Sequence, residues 1–146
     1  MKRAFVLTPL LLVTACHSRS EAPAVTEAWV RLPAVAGQPA AAYFTIHGGG
    51  ADEKLVRMAS TLAQRTEMHE SMKGMSGAMA MVPLDHVDVP AGKDVAFAPA
   101  ARHAMLFGLD PAIKPGTAVP LRFGFVSGRT AEAEAKTVAA GADAPY

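Results

Sequence analysis

From Glu27 onward, apolar residues fall in short runs broken by glycine and proline, and no stretch sustains a long helical period. The pattern predicts strands over Glu27–Leu32, Ala40–His47, Lys54–Ser60 and Arg65–Ser71, then Ala78–Val82, Asp94–Ala98, His103–Leu109, Val119–Val126 and Thr130–Val138. Alternation supports several of them: Leu121, Phe123 and Phe125 share one face, while Glu132, Glu134 and Lys136 line a solvated one. The stretch from Thr130 to Ala140 is rich enough in alanine to be misread as a helix, yet its charges recur at strand spacing. Turns are expected from Leu32 to Pro39, at Gly48-Gly49-Gly50-Ala51-Asp52, at Pro90-Ala91-Gly92-Lys93 and at Lys114-Pro115-Gly116. About nine short strands at roughly ten-residue spacing imply an all-β fold, a Greek-key β-sandwich. No internal repeat and no second domain interrupts the pattern.

The first sixteen residues read as an export signal. Lys2 and Arg3 form a positive end, Ala4 to Val13 an apolar run, and Val13-Thr14-Ala15-Cys16 a processing site. The apolar run is too short to remain as a membrane-spanning helix. A small residue before the only cysteine resembles a bacterial lipobox, so residues 1–15 are expected to be a signal peptide and Cys16 a lipidated first residue. Residues 16–26, polar and containing Ala, Pro and Ser, suit a tether, and 27–140 a folded domain. An ordinary secretory signal with an incidental cysteine is the alternative. Either way the domain is expected to work outside the cytoplasm, where exposed thiols tend to oxidise, and the lipobox reading makes it a membrane-anchored lipoprotein of the periplasm.

Composition narrows the function. A chain of 146 residues is one domain with room for a single core. Charged residues are 18% and hydrophobic ones 51%, which suits neither bulk disorder nor a membrane bundle. The formal charge of +1 includes Lys2 and Arg3, and without them 12 basic residues face 13 acidic ones, giving −1. A nucleic-acid binder needs a basic footprint that this chain lacks. No Ser-His-Asp spacing, paired carboxylate motif or phosphate-binding glycine loop points to an enzyme.

The chemistry is concentrated between Met68 and Met105, which holds six of the seven methionines after Met1 and three of the five histidines. In a strand, residues separated by one point the same way, so His103 and Met105 can converge on one ion, and so can Met79 and Met81. His69 lies on an earlier strand, with Met68 on the opposite face. Neutral imidazoles with thioethers form a soft donor set that suits Cu(I), and they need no thiol in an oxidising compartment. Methionine is also a common core filler, and Met58 and Met68 are better read as packing. His47 and His86 carry no spacing signal, and His17 belongs to the tether. Met72, Met75, Met79 and Met81 share a segment with Gly74 and Gly77, where a loop is expected.

The series His69, Met81, twenty-one intervening residues, then His103-Ala104-Met105 resembles the signature of the periplasmic Cu(A) chaperone family, the PCu(A)C domain. The family's pattern is His, ten residues, Met, twenty-one residues, His-x-Met. The resemblance extends to Ala28-Trp29-Val30-Arg31, Ala40-Ala41-Ala42-Tyr43-Phe44, Met79-Ala80-Met81 with Pro83, Val89-Pro90-Ala91-Gly92 and Met105-Leu106-Phe107-Gly108-Leu109, and spans about residues 27 to 138. It departs at one point, since eleven residues separate His69 from Met81. A one-residue insertion in the Met72 to Ala78 loop accounts for this, because loops accept insertions at small cost. Met79 breaks both spacings and is the reserve ligand.

The resemblance implies a cupredoxin-like β-sandwich, working as a monomer, that binds one Cu(I) at a solvent-accessible rim through His69, Met81, His103 and Met105. It also implies delivery of the copper to a cuproprotein, with the Cu(A) centre in subunit II of cytochrome c oxidase as the expected recipient. A blue-copper electron carrier needs a cysteine thiolate, and Cys16 lies in the leader region. Copper storage, and a structural lipoprotein without metal, are the rival readings.

Overall fold

The computed structural model describes residues 21–74 and 77–146. The expected export signal, Cys16, His17 and Met75 lie outside the described residues. The described chain is all β: β1 Ala24–Arg31, β2 Ala40–His47, β3 Glu53–Ala59, β4 Arg65–Lys73, β5 Met79–Leu84, β6 Val87–Val89, β7 Asp94–Phe97, β8 Arg102–Phe107, β9 Ala118–Phe125 and β10 Thr130–Val138. Hydrogen bonds join them in the order β5-β4-β8-β2-β1-β10-β9-β3-β6, with β7 also on β2. The sheet curls over its own core. Phe44 of β2 stacks on Phe97 and meets Phe123 of β9 edge-on, with ring centroids 4.3 and 4.7 Å away. At the far turn of the curl, the Thr66 hydroxyl of β4 donates to the Met58 carbonyl of β3.

Eight of the expected strands lie within two residues of their observed bounds at the start and at the end. The exception is β1, which starts three residues early, and β4 runs on two residues to Lys73, because β5 gives Met72 and Lys73 partners in Ala80 and Met79. The expected loop from Met72 to Ala78 is therefore a shorter hairpin turn. Its chain is closed by Gly74 N–H donating to Ala78 O at 2.8 Å. The short β6 falls in what reads as a connection after Pro83; it holds Val87 and Val89 in the core by pairing with β3. β1 begins at Ala24, taking up the last three tether residues, since Ala24, Val25 and Thr26 pair with His47, Ile46 and Thr45. A register shift follows at Glu27, whose φ is 53°. The β9–β10 face assignments hold: Leu121, Phe123 and Phe125 are buried, and Glu132, Glu134 and Lys136 are exposed. Met58 and Met68 are core residues, as expected.

Parity decides which side chains leave the core. Val30, Ala40, Ala42, Phe44, Met68, Ala104 and Leu106 point inward, so Arg31, Ala41, Tyr43, His69, His103 and Met105 point to the outer face. Two outward aromatics are nevertheless covered. Trp29 and Tyr43 pack with centroids 4.4 Å apart, and Arg31 lies over both rings while donating to the carbonyl of Ala142. Burial pushes the Tyr43 phenol above its ordinary value of 10.0, and the Arg31 charge partly opposes this. The folded protein thus keeps the phenolic proton at a pH where the unfolded chain has released it. Stability is therefore expected to fall as pH rises from 10.0 upward. Chemical denaturation of Tyr43→Phe across this range should show a shallower alkaline decline than the wild type; identical slopes would remove Tyr43 as the cause.

Candidate metal centre

The site is built on the outer face of three neighbouring strands, β5, β4 and β8. In the β4–β8 pair, His69 lies directly opposite His103, and Glu67 opposite Met105. In the β4–β5 pair, Ser71 lies opposite Met81, and His69 opposite Pro83. Directly opposed residues of an antiparallel pair share a face, and so do residues two apart on one strand. His69, Met81, His103 and Met105 therefore all project from the same face. His69 is the middle of the group: His103 is its direct neighbour, and Met81 and Met105 are its diagonal neighbours, about 7–8 Å away at the backbone and within reach of long side chains. The two imidazoles are nearly parallel, with an interplanar angle of 21° and centroids 6.0 Å apart.

The register also ranks the other methionines. Met79 shares the face but lies opposite Lys73, two residues further along β5 from Met81. That adds about 7 Å of strand between it and His69. Met72 has the parity of Met68, so it projects from the other face and cannot join His69. Both flanks of the hairpin turn keep strict pairing, 69–73 with 79–83, so an added residue within Gly74–Ala78 leaves the site register untouched.

The histidines are sheltered, and the thioether of β5 is open. His103 is 7% exposed, the His69 side chain 14%, and Met81 60%. Each histidine has one nitrogen committed and the other left over. His103 Nδ1 lies 3.0 Å from the carbonyl of Ala101 and donates to it, which leaves the Nε2 lone pair. The same carbonyl accepts from Ser71 N–H, and it follows Ala100, whose φ of 61° is in the left-handed region that alanine rarely enters. For His69, Nε2 lies 3.0 Å from Glu67 Oε2, whereas Nδ1 is buried with no hydrogen-bond partner. A buried ring nitrogen with no protein partner keeps its lone pair free to act as a donor.

His47 makes the contrast clear. Its Nδ1 lies 2.6 Å from Asp94 Oδ1 and its Nε2 2.7 Å from Thr26 Oγ1, so both nitrogens are engaged in tying β1, β2 and β7 together. The carboxylate–imidazole–hydroxyl order has the look of a hydrolytic relay, but His47 and Asp94 are 41% and 68% exposed, and the array serves as a cross-strand tie on open surface. His86 is exposed beside Lys54. Among the described residues no three His, Cys, Asp or Glu side chains gather as a metal could use them. A metal held by His69 and His103 would need further donors, and Met81 and Met105, diagonal to His69 on the same face, are the candidates.

Glu67 is the residue that the spacing of histidines and methionines does not reveal. Its signal was its place two residues before His69, which puts both on one face of β4. It also pairs with Arg65, whose guanidinium lies 4.0 Å over the Phe107 ring.

Similar folds share this architecture. The copper-bound PCuAC domain from PmoF2 is 17% identical with a TM-score of 0.64, covering 79% of this chain and 91% of that one. The apo PCuAC domain from PmoF1 is 21% identical with a TM-score of 0.60, over 82% and 92%. The Cu(I) form of DR1885 from Deinococcus radiodurans is 24% identical with a TM-score of 0.56, over 86% and 82%. No curated protein matches the chain. These likenesses establish the cupredoxin-like β fold that PCuAC domains share. The model of the LpqE-like lipoproteins matches residues 23–137, most of the sequence, and the chain, with its PCuAC-type fold, belongs to that family.

Proposed function

We propose that this protein is a periplasmic Cu(I) chaperone that holds one copper ion through His69, Met81, His103 and Met105. The observation that carries the reading is the strand register: it places His69 opposite His103 and puts Met81 and Met105 at its two diagonals on one face. Two imidazoles and two thioethers suit Cu(I), and none of the four needs a thiol. The unpartnered Nδ1 of His69 fits a bound ion, and similar folds are known in copper-bound and Cu(I) forms. Sheltered histidines beside an exposed Met81 on the edge strand suit a carrier, because an incoming ligand can displace the outermost thioether first. Protons compete with copper for the imidazole nitrogens, so binding should weaken in acid.

On this reading Cys16 carries a lipid anchor, and the recipient is a cuproprotein, with the Cu(A) centre of cytochrome c oxidase subunit II the first to try. Storage needs further donors on the same face. Met72 projects from the other face and Met79 sits farther along the edge, which favours a single ion. A Cu(I) titration against a competing chelator should give one tight equivalent. Met81→Ala should weaken it by at least about tenfold, while Met79→Ala changes it little. Equal losses in both variants would move the ligand to a shared or mobile position, several equivalents would favour storage, and no binding would leave a structural lipoprotein. Mixing the Cu(I) form with an apo Cu(A) domain then tests delivery, read by the recipient's copper content after separation.

A further inference from the structure

Glu67 is not among the expected ligands, yet its carboxylate holds the ring of one of them, His69. We infer that Glu67 is the positioning residue of the site: by accepting the Nε2–H of His69 it fixes the ring so that Nδ1 is the copper donor. The inference rests on the copper-binding reading above and specifies which atom does the binding.

The contacts run in one direction along the outer face. Phe107 lies opposite Arg65 across the β4–β8 pair, and its ring supports the guanidinium at 4.0 Å from the centroid. Arg65 in turn pairs with Glu67 Oε1. The second carboxylate oxygen, Oε2, is 3.0 Å from His69 Nε2. Arg65, Glu67 and His69 stand at successive same-face positions of β4, so each side chain leans on the next. A carboxylate accepts hydrogen bonds and donates none, so the proton between Glu67 and His69 belongs to Nε2. A neutral ring then has its lone pair on Nδ1, the buried atom with no partner.

The arrangement has two consequences. The carboxylate makes the ring a better donor, as outer-shell carboxylates do for ligating histidines. It also gives the two histidines opposite polarity: His69 offers Nδ1 while held at Nε2, and His103 offers Nε2 while held at Nδ1 by the Ala101 carbonyl. Two nearly parallel rings with centroids 6.0 Å apart can thus present different edges to one ion.

Long-range nitrogen–proton NMR of the imidazoles tests the assignment before and after Cu(I), which is diamagnetic. In the apo protein His69 should carry its proton on Nε2. On adding one equivalent of Cu(I), the His69 Nδ1 resonance should shift while Nε2 keeps its proton. Copper on Nε2 with the proton on Nδ1 would overturn the inference while leaving the copper-binding reading intact. Absence of Cu(I) binding altogether would instead remove the reading beneath it. Glu67→Ala should weaken Cu(I) binding by about 10–100-fold. Glu67→Gln keeps an acceptor oxygen and should recover most of that loss, with the Nε2 proton still in place. Wild-type affinity in Glu67→Ala would overturn the positioning role. A loss of equal size in Glu67→Gln would assign the effect to charge and overturn it too.

Discussion

A His103→Ala, Met105→Ala double variant should lose the tight Cu(I) equivalent while keeping its fold. Both residues leave β8 on the outer face, and the inward residues Ala104 and Leu106, which anchor the strand in the core, are untouched. Removing His103 takes away the direct cross-strand partner of His69, and removing Met105 takes away one diagonal donor. Of the four proposed ligands, one imidazole and the thioether of Met81 remain, too few donors to compete with a chelator. Loss of an outer-shell partner already costs about 10–100-fold, so loss of two direct ligands should exceed about 1000-fold. Circular dichroism and the urea midpoint serve as the control for folding. Unchanged copper affinity in a folded double variant would sink the site, whatever the fold resembles.

Most of the site's architecture was legible because strand parity is a property of the chain. His103-Ala104-Met105 predicts two side chains on one face, and the burial of Ala104 between them shows that face to be the outer one. Parity within one strand cannot say which strands become neighbours. That β4 lies between β5 and β8, so that His69 is central, follows from long-range pairing that no local pattern encodes. The hairpin turn was also blurred. Glycines at 74 and 77 mark the break, but the extension of β4 to Lys73 depends on backbone partners supplied by β5. β6 was too short, at three residues, to show alternation against its surroundings. Pro83 within β5 looks like a strand breaker, yet β5 is an edge strand, where a missing N–H can face away from the sheet. Glu67 escaped because a search for soft ligands passes over carboxylates, although its two-residue step to His69 was visible.

The largest loss of stability is expected from Phe44→Ala, and copper should recover part of it. Phe44 is 2% exposed on β2, stacked on Phe97 of β7 and edge-on to Phe123 of β9. Phe97 lies opposite Phe44 on the paired strand β7, whereas the Phe123 contact joins β2 to β9, which are not hydrogen-bonded neighbours. Truncation removes the apolar burial of the ring and leaves a cavity that Phe97 and Phe123, held by their own strands, can only partly fill. The expected cost is about 3–5 kcal/mol, a large share of the stability of a domain this size. Phe44 points into the core while the ligands point out, so the donor set survives in whatever fraction remains folded. A ligand that binds only the folded state adds about 2.7 kcal/mol when its free concentration is 100 times Kd. Cu(I), buffered at that level, should therefore raise the urea midpoint of Phe44→Ala clearly. It should not do so in the triple variant that also carries His103→Ala and Met105→Ala. A loss below about 1 kcal/mol in Phe44→Ala would show that the aromatic cluster is not the centre of the core. Equal copper protection with and without His103 and Met105 would show that the ion binds elsewhere than the face of β5, β4 and β8.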